Sequence, residues 1–451
     1  MIRPLLCFLI SGSVAFAQVD EASKPLPIDS LWKSESFRKA VTGSYGIDSR
    51  IEPLITVDEE FYLNEAAESL AEGNRDKAIE ALRNSDLADR SPAIAFQLGT
   101  LHFESGDLEK AKASLEEALK QFPNFRDAHR NLAIVLVQEN EIEEALPHLI
   151  RAVELGSREG LTMGLLGYCH AIGNNHRAAL DAYRLAALTQ PDEVQWKTGQ
   201  AQALAQLDQA EDAVSIYEEL LRKDPANANL WLLQADSLLA LDKDISATAN
   251  LELVHRVGSL PPESTLSLGH LFLQSELPDL ALARYTSAVE AEAPVPFVKA
   301  VEAVELLLSY RETNHAATLA ARIDAQYTEQ PTEALGRLTR ARAIIELETG
   351  DTDSGAKRLE SWLSGNPTDG EALILLARFR ESSGNREEAE MLLEQASVFP
   401  DHAAAAFEAH AKLLVAVGEY DSAIKKLEQS LELEAKEPLV RYLEAIRELV
   451  D

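Results

Sequence analysis

The stretch Ser91–Asn124, SPAIAFQLGTLHFESGDLEKAKASLEEALKQFPN, decides the fold. It reads as two amphipathic helices joined by a tight turn. Leu98, Gly99, Ala111, Ala118 and Pro123 hold its defining places, and the same residue types return downstream at a step of 34. A fixed period in this range marks a stacked solenoid, in which each unit buries its apolar face only against its neighbours.

Working outward, units begin near Glu59, Pro92, Arg126, Gly160, Val194, Ala228, Pro262, Phe297, Gly336, Gly370 and Ala404, which makes eleven. The twentieth place is Ala78, Ala111, Ala145, Ala179, Ala213, Ala247, Ala281, Ala316, Ala389 and Ala423, with Gly355 in the ninth unit. The eighth place is also small, as in Ala66, Gly99, Gly167, Gly269 and Ala377. Two helix backbones approach closely only over small side chains. The twenty-fourth place is large, as in Leu115, Tyr183, Tyr217 and Tyr285, and is expected between helices. Gly73, Gly106, Gly350, Gly384 and Gly418 stand just past the first helix, with Asn140 and Asn174 in the same place. Glycine tolerates a left-handed helix C-cap best and asparagine next. Pro123, Pro191, Pro225, Pro367 and Pro400 close second helices.

These agreements resemble the tetratricopeptide repeat, from Asp58 to Lys436. The resemblance implies an all-α, right-handed superhelical solenoid of about eleven helix-turn-helix units, with an N-terminal segment and a C-terminal capping helix. The expected divisions are a signal peptide at 1–17 and an N-terminal lead and capping segment at 18–57. Units one to seven follow at 58–293, then a degenerate unit and hinge at 294–335. Units nine to eleven occupy 336–436, and a capping helix 437–451. The degenerate unit lacks a turn glycine, is flanked by Pro294 and Pro296, and precedes a step of 39; the alternative is an ordinary repeat with a longer loop. Within 18–57, Trp32, Phe37 and Val41 share one helical face, suited to capping the first repeat or to docking a partner.

Charge narrows the function. The chain has 451 residues, with 42 basic against 75 acidic ones, a formal net charge of −33. Such a surface repels phosphate backbones and anionic lipid, which disfavours nucleic acid and membrane surfaces as partners. Residues 1–17 carry Arg3, an apolar run from Leu5 to Val14 and the small-x-small site Ala15-Phe16-Ala17, the pattern of a Sec-type signal peptide cleaved after Ala17. Its removal leaves Cys169 alone, so no intramolecular disulfide is expected. A periplasmic or secreted bacterial protein is the expectation, with no direct membrane insertion after cleavage; an uncleaved anchor is the alternative.

No phosphate-binding loop, zinc-protease helix, nucleophile elbow or paired Cys-x-x-Cys occurs, so no catalytic centre, metal or cofactor is expected. His102 and His170 fall on a packing position, and His402 with His410 makes only two ligands. If the first helices line a concave groove, as the resemblance implies, Phe96, Thr100, Phe103, Arg130, Ile134, Val137 and Tyr168 form a partly aromatic strip in units two to four. Aromatics and Arg anchor interfaces most often. The alternative is that Phe96 and Phe103 only pack internally. Arg337, Arg340, Arg378 and Lys412 form a second patch in units nine to eleven, suited to an acidic or C-terminal carboxylate motif. Alternatively Glu371, Glu381 and Glu408 simply neutralise it. The reading is a non-catalytic scaffold or adaptor of the bacterial envelope that binds a protein or peptide partner. A self-associating homo-oligomer is the alternative, and an enzyme or glycan-binding protein using the superhelix interior a more distant one.

Overall fold

The computed structural model describes residues 50–87, 89–258, 260–328 and 331–450. The expected signal peptide and residues 18–49 of the expected capping segment, with Trp32, Phe37 and Val41, lie outside them. Among the described residues every regular element is a helix, 23 between Val57 and Val450. They pair in chain order as eleven antiparallel hairpins, each a helix A followed by a helix B, and a last helix, Glu437–Val450, completes the series. The residues divide into two compact units between Val254 and His255.

One turn geometry serves all eleven hairpins. In repeat 2 helix A runs Pro92–Glu104 and helix B Leu108–Gln121. Between them the Gly106 N–H donates to the Phe103 carbonyl at 2.9 Å, and the Asp107 N–H reaches back to the His102 carbonyl at 3.0 Å. This pair of bonds is the Schellman motif, which needs a left-handed residue after the helix. The same pair closes every other hairpin, down to Gly418 and Glu419 in repeat 11. Glycine or asparagine fills the left-handed position in seven repeats. Asp208, Asp242, Glu276 and Arg311 fill it in repeats 5 to 8, with φ between 54° and 64°. Arg311 thus supplies the turn of the eighth repeat, whose helices are Phe297–Ser309 and Thr313–Gln326.

The small places mark where helix B crosses helix A. All ten alanines at the twentieth place are fully buried. A Cβ on Gly99 would stand 2.6 Å from Leu115 Cγ, and one on Gly269 2.4 Å from the Tyr285 ring. The large residue of helix B therefore sits on the bare backbone of helix A. Tyr183 lies between Gly167 of its own repeat and Gly199 of the next, both too close for a Cβ. In repeat 8 the sizes are inverted, with buried Val304 at the eighth place and buried Ala320 at the twenty-fourth. Each buried Leu or Tyr removes enough apolar surface for about 1.5–3 kcal/mol.

In the unit through Val254, one apolar cluster runs from Ala95 and Phe96 to Leu233. In the unit from His255, Leu439, Leu443 and Ile446 of the last helix pack on Leu414 and Leu427 of repeat 11. Two helix starts differ from the sequence reading by a full turn. Helix A of repeat 9 is Thr332–Thr349, and that of repeat 11 is Pro400–Ala416, so each begins one turn before the expected Gly336 and Ala404. Pro331 and Pro400 set these starts, since proline fits the N-terminal edge of a helix and blocks its backward extension. The excess of the long step lies in the longer helix A of repeat 9, since the turn residues Arg311 and Gly350 stand 39 apart and Gly350 and Gly384 stand 34 apart.

Gly269→Ala is expected to lower stability by about 1–3 kcal/mol, because its methyl group collides with the Tyr285 ring despite the better helix propensity of alanine. Arg311→Gly should raise stability by about 1 kcal/mol by relieving a left-handed L-residue. Urea titration followed by circular dichroism reads both.

Candidate functional site

The strip expected in repeats 2 to 4 is not open. Phe96 is fully buried and its ring centroid lies 4.8 Å from that of Phe125. Thr100, Ile134, Val137 and Tyr168 are buried as well, and Phe103 is half-buried. Gly99, Thr100, Phe103, Leu115, Asn131 and Ile134 close on one another without room for a water molecule.

Arg130 is only 2% exposed. Its Nη1 donates to Glu159 at 3.0 Å and lies 3.4 Å from Asp127, and its Nε donates to Asn131 at 3.2 Å. One turn earlier, Arg126 binds the chain's own incoming segment. Its N–H donates to the Ile51 carbonyl at 3.1 Å, and its Nη2 meets buried Glu52 at 3.1 Å. Aromatic and cationic anchors are thus absorbed by the protein itself.

The second patch is arranged differently. Arg337 makes a bidentate pair with Glu305, which holds its guanidinium pKa above the usual value. Lys412 pairs with Glu408 one turn away. Arg340 lies between Asp369 at 2.6 Å and Glu371 at 2.9 Å. Arg378 is half-buried with no hydrogen bond or ion pair among the described residues. Burial lowers its pKa, and the nearby charges of Glu381 and Glu408 oppose that shift.

The bridge from Arg340 to Asp369 repeats the bridge from Arg130 to Glu159, each joining a helix A to the residue just before the next one. Around these bridges the side chains diverge. Where repeat 3 has Arg126 and Ala152, repeat 9 has Gly336 and Trp362. The Trp362 ring fills the space over Gly336, where a Cβ would lie 2.7 Å from it. Its Nε1 donates to Asp369 Oδ2 at 2.8 Å. Asp369 also caps the next helix A, accepting from the Ala372 N–H at 3.0 Å.

The result is a cavity of about 490 Å³, lined by Thr332, Glu333, Gly336, Arg340, Trp362, Asn366, Thr368, Asp369, Glu371 and His402. Thr332, Glu333 and His402 belong to the added first turns of repeats 9 and 11. The early helix starts of repeats 9 and 11, the first of them within the long step, therefore supply walls of the cavity. The unequal step signalled this place; Trp362 stood out by residue type and was missed.

The groups that could do chemistry are quiet. Cys169 is buried and its thiol is pushed up to about 12, which leaves it protonated. His102 and His170 are shifted down by burial. His129 and His148 share a hydrogen bond of 2.8 Å between their Nδ1 atoms, and burial moves His148 to about 4. Among the described residues no three His, Cys, Asp or Glu side chains gather to hold a metal, and no helix is long and apolar enough to cross a membrane.

Hairpins of one geometry, stacked at one period and closed by one turn, define a helical-repeat protein. A family model described as the tetratricopeptide repeat matches residues 96–160, 132–193 and 198–244, so that stretch carries tetratricopeptide repeats. It is 26% identical over 188 residues to the tetratricopeptide repeat-containing protein trd-1 of Caenorhabditis elegans. That alignment takes in 41% of this chain and 23% of the relative, so the chain spans less than a quarter of the relative's length. Among solved structures it is similar to a tetratricopeptide repeat protein from Parabacteroides merdae, at 17% identity and a TM-score of 0.37, covering 57% of this chain and 100% of that one. It is also similar to pilF of Pseudomonas aeruginosa, at 21% identity and a TM-score of 0.37, covering 50% of this chain and 98% of that one.

His270 is buried, shares a 2.8 Å hydrogen bond with the Tyr285 hydroxyl, and is held down to about 4 by burial. A folded-state pKa below the unfolded value of about 6.5 means stability is full above pH 6.5 and falls as pH drops toward 4. His270→Gln keeps a hydrogen-bonding side chain and removes the titration. Thermal unfolding from pH 7.5 to 4.5 should show a smaller loss of stability for this variant than for the wild type.

Proposed function

We propose that the chain is a non-catalytic scaffold that binds a polypeptide partner on the helix A face of repeats 9 to 11. The observation that carries this is the cavity bounded by first turns from three successive A helices. It is of ligand-site size, and two early helix starts build it. Arg378, half-buried and unpaired, stands two turns beyond Glu371 on the same helix and offers a carboxylate of that partner a second anchor. The strip of repeats 2 to 4 is a weaker candidate, because its aromatic and cationic groups are buried in internal contacts.

The scaffold works outside the cytosol in this reading, in the bacterial envelope. Support comes from the signal-peptide pattern of residues 1–17 and the single cysteine left after cleavage. The mature protein purified from cells is expected to begin at Gln18 by mass spectrometry of its N-terminal peptide; an intact Met1 would overturn export by cleavage.

Crosslinking of the tagged protein in its own envelope tests the binding face. A specific polypeptide should be captured by the wild type and lost when Trp362 and Glu371 are changed together to alanine. Unchanged capture by that variant would sink the assignment to repeats 9 to 11. Capture of this chain alone would replace the scaffold by a self-associating protein.

A further inference from the structure

We propose that the cavity of repeats 9 to 11 takes an organic cation, the guanidinium or ammonium head of a basic side chain on the partner polypeptide. This rests on the reading that these repeats form the binding face, and it names the chemistry that face selects. Three carboxylates, Glu333, Asp369 and Glu371, line the cavity against one cation, Arg340. Arg340 is already held by two of the carboxylates, so it offers little to an incoming anion. Asp369 is also committed, since it receives the Arg340 guanidinium, the Trp362 indole N–H and the Ala372 backbone N–H.

The spare accepting capacity lies with Glu333 and Glu371. Glu333 has no hydrogen bond or ion pair among the described residues. Glu371 has one oxygen engaged with Arg340 and is 44% exposed. Acidic pairs are common on a chain with 75 acids, and solvent screens most of them. Here the carboxylates line an open concavity beside a tryptophan ring, with Glu333 exposed and Glu371 half-buried. An indole wall beside carboxylates suits a cationic head with an apolar stem, because the ring attracts the charge and covers the methylenes. His402, which makes no side-chain hydrogen bond among the described residues, closes the far wall over Gly370. Asn366, Thr332 and Thr368 add neutral polar groups for the remaining N–H donors of a guanidinium.

The arrangement also explains why the cation pocket occurs at this bridge and not at the matching one. In repeat 3 the place of Gly336 is taken by Arg126, whose charge is met by Glu52 of the same chain. Removing that arginine side chain and setting Trp362 for Ala152 leaves the pocket open and net negative.

Isothermal titration of the full-length mature protein at low salt provides the test, with acetyl-Gly-Arg-Gly amide as the probe. Acetyl-Gly-Glu-Gly amide serves as the acidic control and agmatine as a free guanidinium compound. The arginine peptide should bind at one site per chain, about tenfold more weakly to Glu371→Gln and to Trp362→Leu, and equally well to Glu387→Gln on an exposed helix B face. Circular dichroism confirms that each variant is folded. Equal binding by wild type and Glu371→Gln, no binding of the arginine peptide, or tighter binding of the acidic peptide overturns the proposal. Agmatine bound without the peptide overturns it too, in favour of a free amine. If crosslinking still captures a polypeptide through Trp362 and Glu371 while the arginine peptide fails to bind, the scaffold stands and only its cation selectivity falls.

Discussion

Everything in this protein depends on how close two helix backbones can come. At the twentieth place of ten repeats a methyl group is the largest side chain present, and each of those alanines is wholly buried. That approach lets a leucine or tyrosine from helix B lie on the bare backbone of helix A, as Tyr285 does over Gly269. Once the crossing is fixed, one turn of fixed hand connects the helices, and the Schellman bonds follow. The crossing also fixes the length of each unit and which side of each helix A remains for other purposes.

This is why the fold was legible in the sequence. Close packing leaves its mark as missing side-chain volume, which a repeat period makes visible. The turn was less legible, because four repeats use Asp, Glu or Arg where glycine was expected. The surrounding packing overrides local preference there. Helix starts in repeats 9 and 11 slipped by a turn, since the small-residue pattern marks the crossing and says nothing of how far a helix extends before it. The binding strip was read from repeat position alone. Position placed Phe96 and Arg130 on a helix A face, yet could not show that Phe125, Glu159 and Asn131 would bury them. Conversely, Trp362 carried no positional signal, and only its tertiary setting beside Gly336 and Asp369 makes it part of a cavity.

Cations are scarce on so acidic a chain, and their placement is selective. Arg130 and Arg340 tie one repeat to the next by the same carboxylate bridge. Each bridge joins a helix A to the N-terminal edge of its successor, where a carboxylate also favours the helix dipole. Buried on one side and bordered by a cavity on the other, the same bridge serves packing in repeat 3 and shapes a surface in repeat 9. A repeat protein diversifies in this way, holding the joint and changing what surrounds it.

The left-handed turns have an energetic meaning as well. In a stack whose units touch only their neighbours, the cost of each hairpin adds locally, and disorder starts where that cost is highest. Glycine and asparagine turns occupy the first four and last three repeats, while Asp208, Asp242, Glu276 and Arg311 occupy four consecutive hairpins between them. Strain is therefore concentrated in one stretch of the sequence and spared at both ends. Each of those four hairpins thus carries a backbone cost of about 1 kcal/mol that the glycine and asparagine turns at both ends do not.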